Sequence, residues 1–492
     1  MKTDILISDP VHIHRRNFSS LFEYLDKNSI RYKECFHAKH LRNIRIRKCN
    51  HQEELVGYID RLKDLEFKEI IEFEFQGIDL SKIVEYELLG EMIAEGSSSY
   101  RYMNGEDFIK HAYQNHNSLL ITSYALAIYW VDFWLSSISR EKYRYAIIFS
   151  GSSIATRALS KCCELMPTEP VLVESFFTGA HYYFENRYSP LPNKSDVRFF
   201  RGSTGNIDSA KWKLSSEYLS CVSSRNKNVK QPIDAISHLE SNAYALISCQ
   251  VINDYSLLNS NYPKLASAET YVLIIKEILD KTDLDVFVKI HPWEKVKLAR
   301  ETSLTEEVIR DFASDLPEDT RCRVKLIESE NLSQLIEGCA AFITICSQSA
   351  LEAAFLGKKP IVSNSAFYAS KGFSYEFSDP AAVVSHILSE EYCSEICLSE
   401  YDKFINFMNF CMHDSLIEEK LTDASSQKLS RVLSGCISHR SKKVATKVEC
   451  PEYKYLVERN FIKRNIFKIL ERPEQILIDA RVVFKSLLGK IF

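Results

Sequence analysis

Apolar and polar positions along this chain alternate between two periods, and the change of period marks the elements. The run "DILISD" predicts an opening strand. In "HQEELVGYIDRLKDL" the residues Leu55, Ile59 and Leu62 fall on one face at helical spacing. "YRYAIIFSGSS" predicts a strand over Tyr145 to Phe149 that runs into a turn of small residues, Ser150 to Ser153. A helix is predicted from about Ile154 to Leu165, and a further strand over Val171 to Glu174. Strand, helix and strand at this spacing imply a parallel βαβ unit, whose ligands sit at the carboxyl ends of the strands.

The second half alternates more regularly. Strands are predicted in "YALISCQV", "DVFVKI", "RVKLIES", "AAFITIC" and "KPIVSN". Helices are predicted between them in "AETYVLIIKEILDKT", "LTEEVIRDFASDL", "LSQLIEGC" and "SALEAAFLG". This rhythm predicts an α/β fold with a doubly wound parallel sheet. The polar stretch Ser223 to Asn242 holds a proline and no strong period, and is expected to link two units. The expected organisation is thus residues 1–235, residues 236–440 and a tail over 441–492.

Length supports more than one core, since 492 residues exceed the usual size of a single domain. Apolar residues make up 45% and charged residues 26%, a globular composition. A net charge of −4 gives no global reason to expect nucleic acid as partner. The 14 cysteines show no CxxC and no Cys/His cluster at ligand spacing, so reduced thiols in the cytoplasm are expected and a zinc site is not. "MKTDILISDP" lacks the pattern of a signal peptide. The stretch Ser118 to Ile138 is about long enough to span a bilayer, but Asp132 and several hydroxyl residues favour a buried helix of a large α/β unit. From Arg440 to Phe492 there are 13 Lys and Arg against 6 Asp and Glu, a net of +7. Ile476, Ala480, Val483, Phe484, Leu487, Leu488 and Ile491 share one helical face there. Such a basic amphipathic end fits an anionic membrane surface, or equally a terminal helix packed on the protein itself.

Four loops at predicted strand ends could carry chemistry: Gln250 with Asp254, His291-Pro292, Glu328 with Glu330, and "TICSQSALEAAFLGKKPIV". In the last, Ser347-Gln348-Ser349 precedes a helix directly, with Glu352 one turn in. Unpaired N–H groups at that helix start favour a phosphate or carboxylate, and Glu352 could meet a ribose hydroxyl. Ordinary serine capping would give the same pattern. A histidine after a strand is commonly a packing residue, yet its ring could meet a phosphate, with Pro292 stopping the strand. Taken together, about 55 residues apart on strands expected to be parallel neighbours, the two elements describe a nucleotide-phosphate pocket.

His-Pro, the Ser-rich turn with its downstream Glu, and "GKKPIV" resemble bacterial glycosyltransferases of the GT-B type, with two Rossmann-like domains facing across a cleft. "ALISCQVINDYSLL" resembles the Gln-x-x-x-Asp segment of capsule transferases that use CMP-Kdo. "VLVESFFTGAHYYFENRYSPLPNKSD" is similar to their acidic first-domain loop, which closes on an Asn-x-Ser element, and "EFQGIDL" fits their N-terminal region. The resemblance covers about residues 70–375. It departs at Gln348, where a small residue is expected, and at Phe176-Phe177, where glycine is more usual.

The resemblance implies roles. Asp254 would be the nucleophile that attacks CMP-Kdo, in a double displacement that retains configuration. Glu174 would exchange a proton with the acceptor hydroxyl. Gln250, His291, Pro292, Ser347, Gln348, Ser349 and Glu352 would form the donor side, and Ser152, Ser153 and Asn193 the acceptor side. No metal or other cofactor is implied, because a CMP-sugar carries a good leaving group and no Asp-x-Asp motif lies at a strand end. The implied product is a Kdo-containing capsule or lipopolysaccharide glycan, built on a glycan or lipid-linked acceptor in the cytoplasm at the inner face of the membrane. Alternatives are an inverting CMP-sugar transferase such as a sialyltransferase, a CDP-glycerol-type transferase, and a non-catalytic assembly scaffold on the same fold. Without the resemblance, Asp254 could equally cap the segment starting at Tyr255, and Glu174 could pair with Arg187.

Overall fold

Period-two burial builds the first sheet. The strands are β1 (Ile5–Ile7), β2 (Tyr32–Glu34), β5 (Tyr145–Phe149), β6 (Glu169–Ser175) and β7 (His181–Asn186). A small ribbon, β3 (Glu74–Phe75) with β4 (Ile78–Asp79), stands apart and turns at Gln76 and Gly77, both at positive φ. Ile5, Ile7, Tyr145, Ile147, Val171 and Val173 point to one face, and Leu6, Ala146, Ile148 and Leu172 to the other. Both faces are therefore covered, as parallel strands require. The computed structural model describes residues 4–10, 12–35, 52–95, 105–202, 207–222, 243–258, 267–298, 300–328 and 330–434. The expected linker 223–242 and the tail 441–492 lie outside the described residues.

Helix Asn117–Glu141 contains the stretch long and apolar enough to cross a membrane. It packs inside the first unit: Tyr124, Trp130 and Trp134 are fully buried, and Trp134 Nε1 donates to Ala155 O at 2.9 Å. Helix Ile154–Leu165 lies where the pattern places it, and β5 and β6 pair in parallel. The segment after Glu174, expected as a loop, instead folds back as β7, antiparallel to β6, through a turn at Gly179 with φ 64°.

The second sheet is wholly parallel among its named strands, β8 (Tyr244–Ser248), β9 (Asp285–Lys289), β10 (Val324–Ile327), β11 (Ala341–Thr344), β12 (Ile361–Ser363) and β13 (Tyr375–Phe377). Its spatial order, β10-β9-β8-β11-β12-β13, is the doubly wound 3-2-1-4-5-6 pattern. The strand order reverses between β8 and β11. After helix Leu398–Asn409 the chain crosses back, and β14 (Ile417–Glu418) pairs antiparallel with β7. Helix Asp423–Val432 then buries Leu429 with Ile5 and Tyr182 in the first unit's core. The expected boundary at 440 therefore assigns residues 417–432 to the wrong unit: the first sheet's edge and apolar face are completed by the returning chain.

The two units meet closely. Gly90, in helix Ser81–Ala94, lets that helix reach the loop after β8, because a Cβ there would lie 3.2 Å from Leu258 Cδ1. Lys371 Nζ donates to Arg198 O at 2.6 Å across the same divide.

Candidate functional site

A cavity of about 810 Å³ opens at the reversal between β8 and β11 and is walled on its far side by the first unit. Gln250, Asp254, His291 and Pro292 line it from the loops after β8 and β9. Ser347, Gln348, Ser349 and Glu352 line it from the turn after β11, and Glu174 and Asn193 from the first unit. The structure thus gathers ten of the twelve residues to which the sequence assigns roles, together with Glu328 but not Glu330.

Asp254 stands at the start of the short helix Tyr255–Leu258. Its Oδ1 accepts from Ser256 N at 2.8 Å and Ser256 Oγ at 2.9 Å. That is the capping arrangement, but it uses one oxygen only; Oδ2 has no protein hydrogen bond among the described residues. Gln250 is a tie rather than a free side chain. Its Oε1 accepts from Cys346 N at 3.0 Å and its Nε2 donates to Ser256 Oγ at 2.9 Å. The ends of β8 and β11 and the Asp254 loop are thereby joined through one amide.

Glu174 comes from β6, in register with Tyr183 of β7. Its Oε2 is sealed from solvent with no hydrogen-bond partner. Burial pushes its pKa up from 4.5 to about 7, and the negative charge of Asp254 pushes the same way. The two carboxylates line the same cavity, one from each unit. Arg187 takes no part, being paired with Glu185 at 2.6 Å. Phe176 is buried against Phe177 and Tyr183, so the aromatic pair packs the hairpin that carries Glu174.

His291 Nδ1 accepts from Trp293 N at 3.2 Å. The neutral ring then carries its proton on Nε2, a donor suited to an anionic oxygen. Burial lowers its pKa, while Asp254 opposes that shift. In the turn after β11, which is not the expected neighbour of β9 because β8 lies between them, Ser349 Oγ shares hydrogen bonds with Ser248 Oγ at 3.1 Å and Ser347 Oγ at 2.9 Å. Gln348, not a serine, occupies the cap position of helix Ser349–Phe355, and its buried Oε1 has no partner. Burial alone raises Glu352 to about 7.

Ser152 and Ser153 do not line the cavity. Ser152 is fully buried, with its hydroxyl 3.2 Å from that of Ser150, and Ser153 Oγ caps helix Ile154–Leu165 through Thr156 N. The cause is the turn itself: Ser150 and Gly151 take φ 59° and 78°, which turns the chain inward against Leu172. Asn193 does reach the divide, donating to Ser256 O at 2.8 Å.

Three residues escaped the sequence reading. Lys289, 7% exposed, lines the cavity and donates to Glu328 O at 2.5 Å; burial lowers its pKa to about 8. A lysine inside an apolar central strand was the available signal. Lys297 also lines the cavity and donates to Asn253 O at 2.9 Å. Glu294, fully buried, accepts from Ile252 N at 3.0 Å and from Thr305 N and Oγ1 at 2.9 Å each, locking the Asp254 loop to the His291 loop. With Lys289, Lys297 and His291 on one side and two carboxyls on the other, the cavity can hold an anionic ligand and present it to an acid.

Residues 215–383 match the profile of a family described as capsule polysaccharide biosynthesis protein. No curated protein matches the chain at a significant level. Among solved structures, the chain is similar to the Thermosulfurimonas dismutans KpsC beta Kdo 2,4 transferase at 17% identity, covering 54% of this chain and 80% of that one, with a TM-score of 0.38. The beta Kdo 2,7 transferase of the same organism's KpsC shares 12% identity over 61% of this chain and 88% of its own, at 0.34. The UDP-GlcNAc 2-epimerase of Methanocaldococcus jannaschii shares 12% over 82% and 98%, at 0.32. The fold is α/β of the GT-B type, and over residues 215–383, which include the whole of its second sheet, the chain matches capsule polysaccharide biosynthesis proteins.

Proposed function

We propose that this protein is a glycosyltransferase of capsule synthesis that moves Kdo from CMP-Kdo to a growing surface glycan with retention of configuration. The observation that carries the reading is the pair Asp254 and Glu174, one from each unit, lining one cavity at the β8/β11 reversal. Asp254 Oδ2 attacks the anomeric carbon and CMP departs, leaving a sugar ester on Asp254. The acceptor hydroxyl then displaces Asp254, and two inversions give net retention. Ser256 holds Oδ1, so the attacking oxygen keeps one orientation. His291 Nε2–H meets the donor phosphate, and the turn at Ser347 and Ser349 meets the phosphate or the sugar carboxylate, with Glu352 toward the ribose. Lys289 and Lys297 match a donor that is charged at both groups. Glu174 lies on the acceptor side and meets the incoming hydroxyl. No metal enters this scheme. The tail 441–492 would hold the enzyme at an anionic inner membrane surface beside a lipid-linked acceptor.

The decisive experiment incubates the protein with CMP-Kdo and maps sugar mass on tryptic peptides. A Kdo adduct on Asp254, lost in Asp254→Asn together with turnover, is the expected result. Normal turnover by Asp254→Asn would sink the nucleophile assignment. Turnover without any adduct, giving inverted product by NMR, would instead establish the inverting alternative. A parallel screen with CMP-sialic acid and CDP-glycerol fixes the donor, and absence of CMP binding in calorimetry would favour a scaffold.

A further inference from the structure

The first sheet has a reversal of its own. Its parallel strands run β2-β1-β5-β6, so the order turns between β1 and β5, and open α/β sheets place ligands beyond the carboxyl ends of strands at such a point. There β1 delivers "SDPVHIH". His12 Nδ1 donates to Asp9 Oδ2 at 2.7 Å, and the His12 amide approaches Asp9 Oδ1 at 3.3 Å. Asp9 is 3% exposed, whereas the His12 side chain is 37% exposed. The His12 ring stacks on Phe149, the last residue of β5, at 4.6 Å between centroids and 19° between planes. One nitrogen is held, one ring face is covered, and Nε2 has no protein partner among the described residues. Phe149 pairs with Val173, so this imidazole stands one strand from Glu174, which responds to it electrostatically.

We propose that Asp9 and His12 form the base that takes the proton of the acceptor hydroxyl, and that the acceptor docks over the β1/β5 reversal. The inference rests on the transferase reading above. Asp9 fixes the tautomer in which Nε2 is the acceptor nitrogen, as an oriented carboxylate does for any catalytic imidazole. Glu174 is poorly suited to this step. Burial raises its proton affinity most, but the part owed to the charge of Asp254 disappears once the sugar ester has formed. Glu174 is then the weaker base at the moment a base is required, and serves to hold the acceptor by hydrogen bonding. In the step, the acceptor oxygen bonds to the anomeric carbon as the bond to Asp254 breaks. The electron pair of the broken bond returns to the Asp254 carboxylate, and the hydroxyl proton passes to His12 Nε2.

The test uses the full chain, CMP-Kdo, and either water or sodium azide as acceptor. Azide needs no deprotonation, so it bypasses a missing base. In His12→Gln a burst of about one CMP per protein is expected, followed by turnover slowed at least about 100-fold, with the Asp254 adduct persisting. Azide should restore turnover and yield glycosyl azide. Asp9→Asn should behave alike, and the burst itself reports a folded, donor-competent site. Turnover of His12→Gln within about twofold of wild type overturns the inference, as does loss of the burst or an adduct that azide does not release. The same accumulation and azide release in Glu174→Gln but not His12→Gln gives the role to Glu174. Absence of CMP release and adduct in the wild-type protein overturns the transferase reading, and this inference with it.

Discussion

Replacing Glu174 by Gln should stabilise the folded protein at alkaline pH. An acid whose pKa is higher folded than unfolded binds its proton more tightly in the folded state. Glu174 therefore opposes folding as pH rises from its ordinary 4.5 through about 7, and the cost is complete above that. A rise of roughly 2.5 units at about 1.36 kcal/mol each sets a ceiling of ~3.4 kcal/mol. Because the side chain borders an open cavity, relaxation and water reduce that ceiling, and about 1.5–2 kcal/mol is the working figure. The isosteric glutamine keeps the packing against the hairpin and removes the charge. At pH 5 the same linkage leaves only about a quarter of the effect, since that pH lies only about half a unit above the unfolded pKa and most of the window up to about 7 has not been crossed.

The assay is thermal and urea unfolding of both proteins at pH 5 and pH 8 at constant ionic strength. The expected gain in Tm at pH 8 is about 3–6 °C, using the usual conversion for large domains. A variant no more stable than wild type at pH 8, or one whose advantage is the same at both pH values, would refute the reasoning. Stabilisation would also identify Glu174 as a position where the fold gives up stability, which is the signature of a functional rather than a structural acid.

Glu294→Ala should cost about 3–5 kcal/mol in urea unfolding, because it leaves the buried amides of Ile252 and Thr305 without an acceptor. Gly151→Ala should cost about 2–3 kcal/mol by the same assay, since φ is 78° and the new Cβ would lie 2.7 Å from Leu172 Cδ2. His291→Ala should weaken CMP binding in calorimetry about tenfold or more, because it removes one charge-assisted donor.

The elements that local patterning revealed are those whose stability is local. Strand Tyr145–Phe149 and helix Ile154–Leu165 lie at the expected residues, each carrying its own apolar period. Strand β8 was expected to reach Val251 but ends at Ser248, because the chain must leave the sheet there for Gln250 to bridge to Cys346. The partner is 96 residues away, and no window around Gln250 contains it. The same holds for Glu294, whose ligated amides come from Ile252 and Thr305, and for β14, two residues long, which exists only because β7 offers it an edge. β7 itself is legible: "HYYFEN" follows a turn containing Gly179, which is a hairpin signal rather than a loop signal. Site residues at strand ends were readable because a parallel sheet delivers them to one edge. The assignment failed at Ser152 and Ser153 because sequence does not show which way a left-handed turn points its hydroxyls.

Four ionisable groups around the cavity share one property: burial disfavours the charge of each. Glu174 and Glu352 are pushed up to about 7, Lys289 is pulled down to about 8, and His291 is pulled down as well. Near neutral pH these groups hold fewer charges than their number implies, so a ligand enters a site already partly neutralised. An anionic ligand then acts on all of them in one direction, because a nearby negative charge raises the pKa of acids and bases alike. Binding of CMP at pH 7.5 should accordingly take up protons, on the order of one per site. Calorimetry in buffers of different ionisation enthalpy measures this directly, as the slope of binding enthalpy against buffer enthalpy. Lys289→Met should reduce the uptake while leaving that of the other groups. A slope of zero for the wild-type protein would mean that these four groups do not face the bound anion, and the donor would have to be placed elsewhere in the cleft.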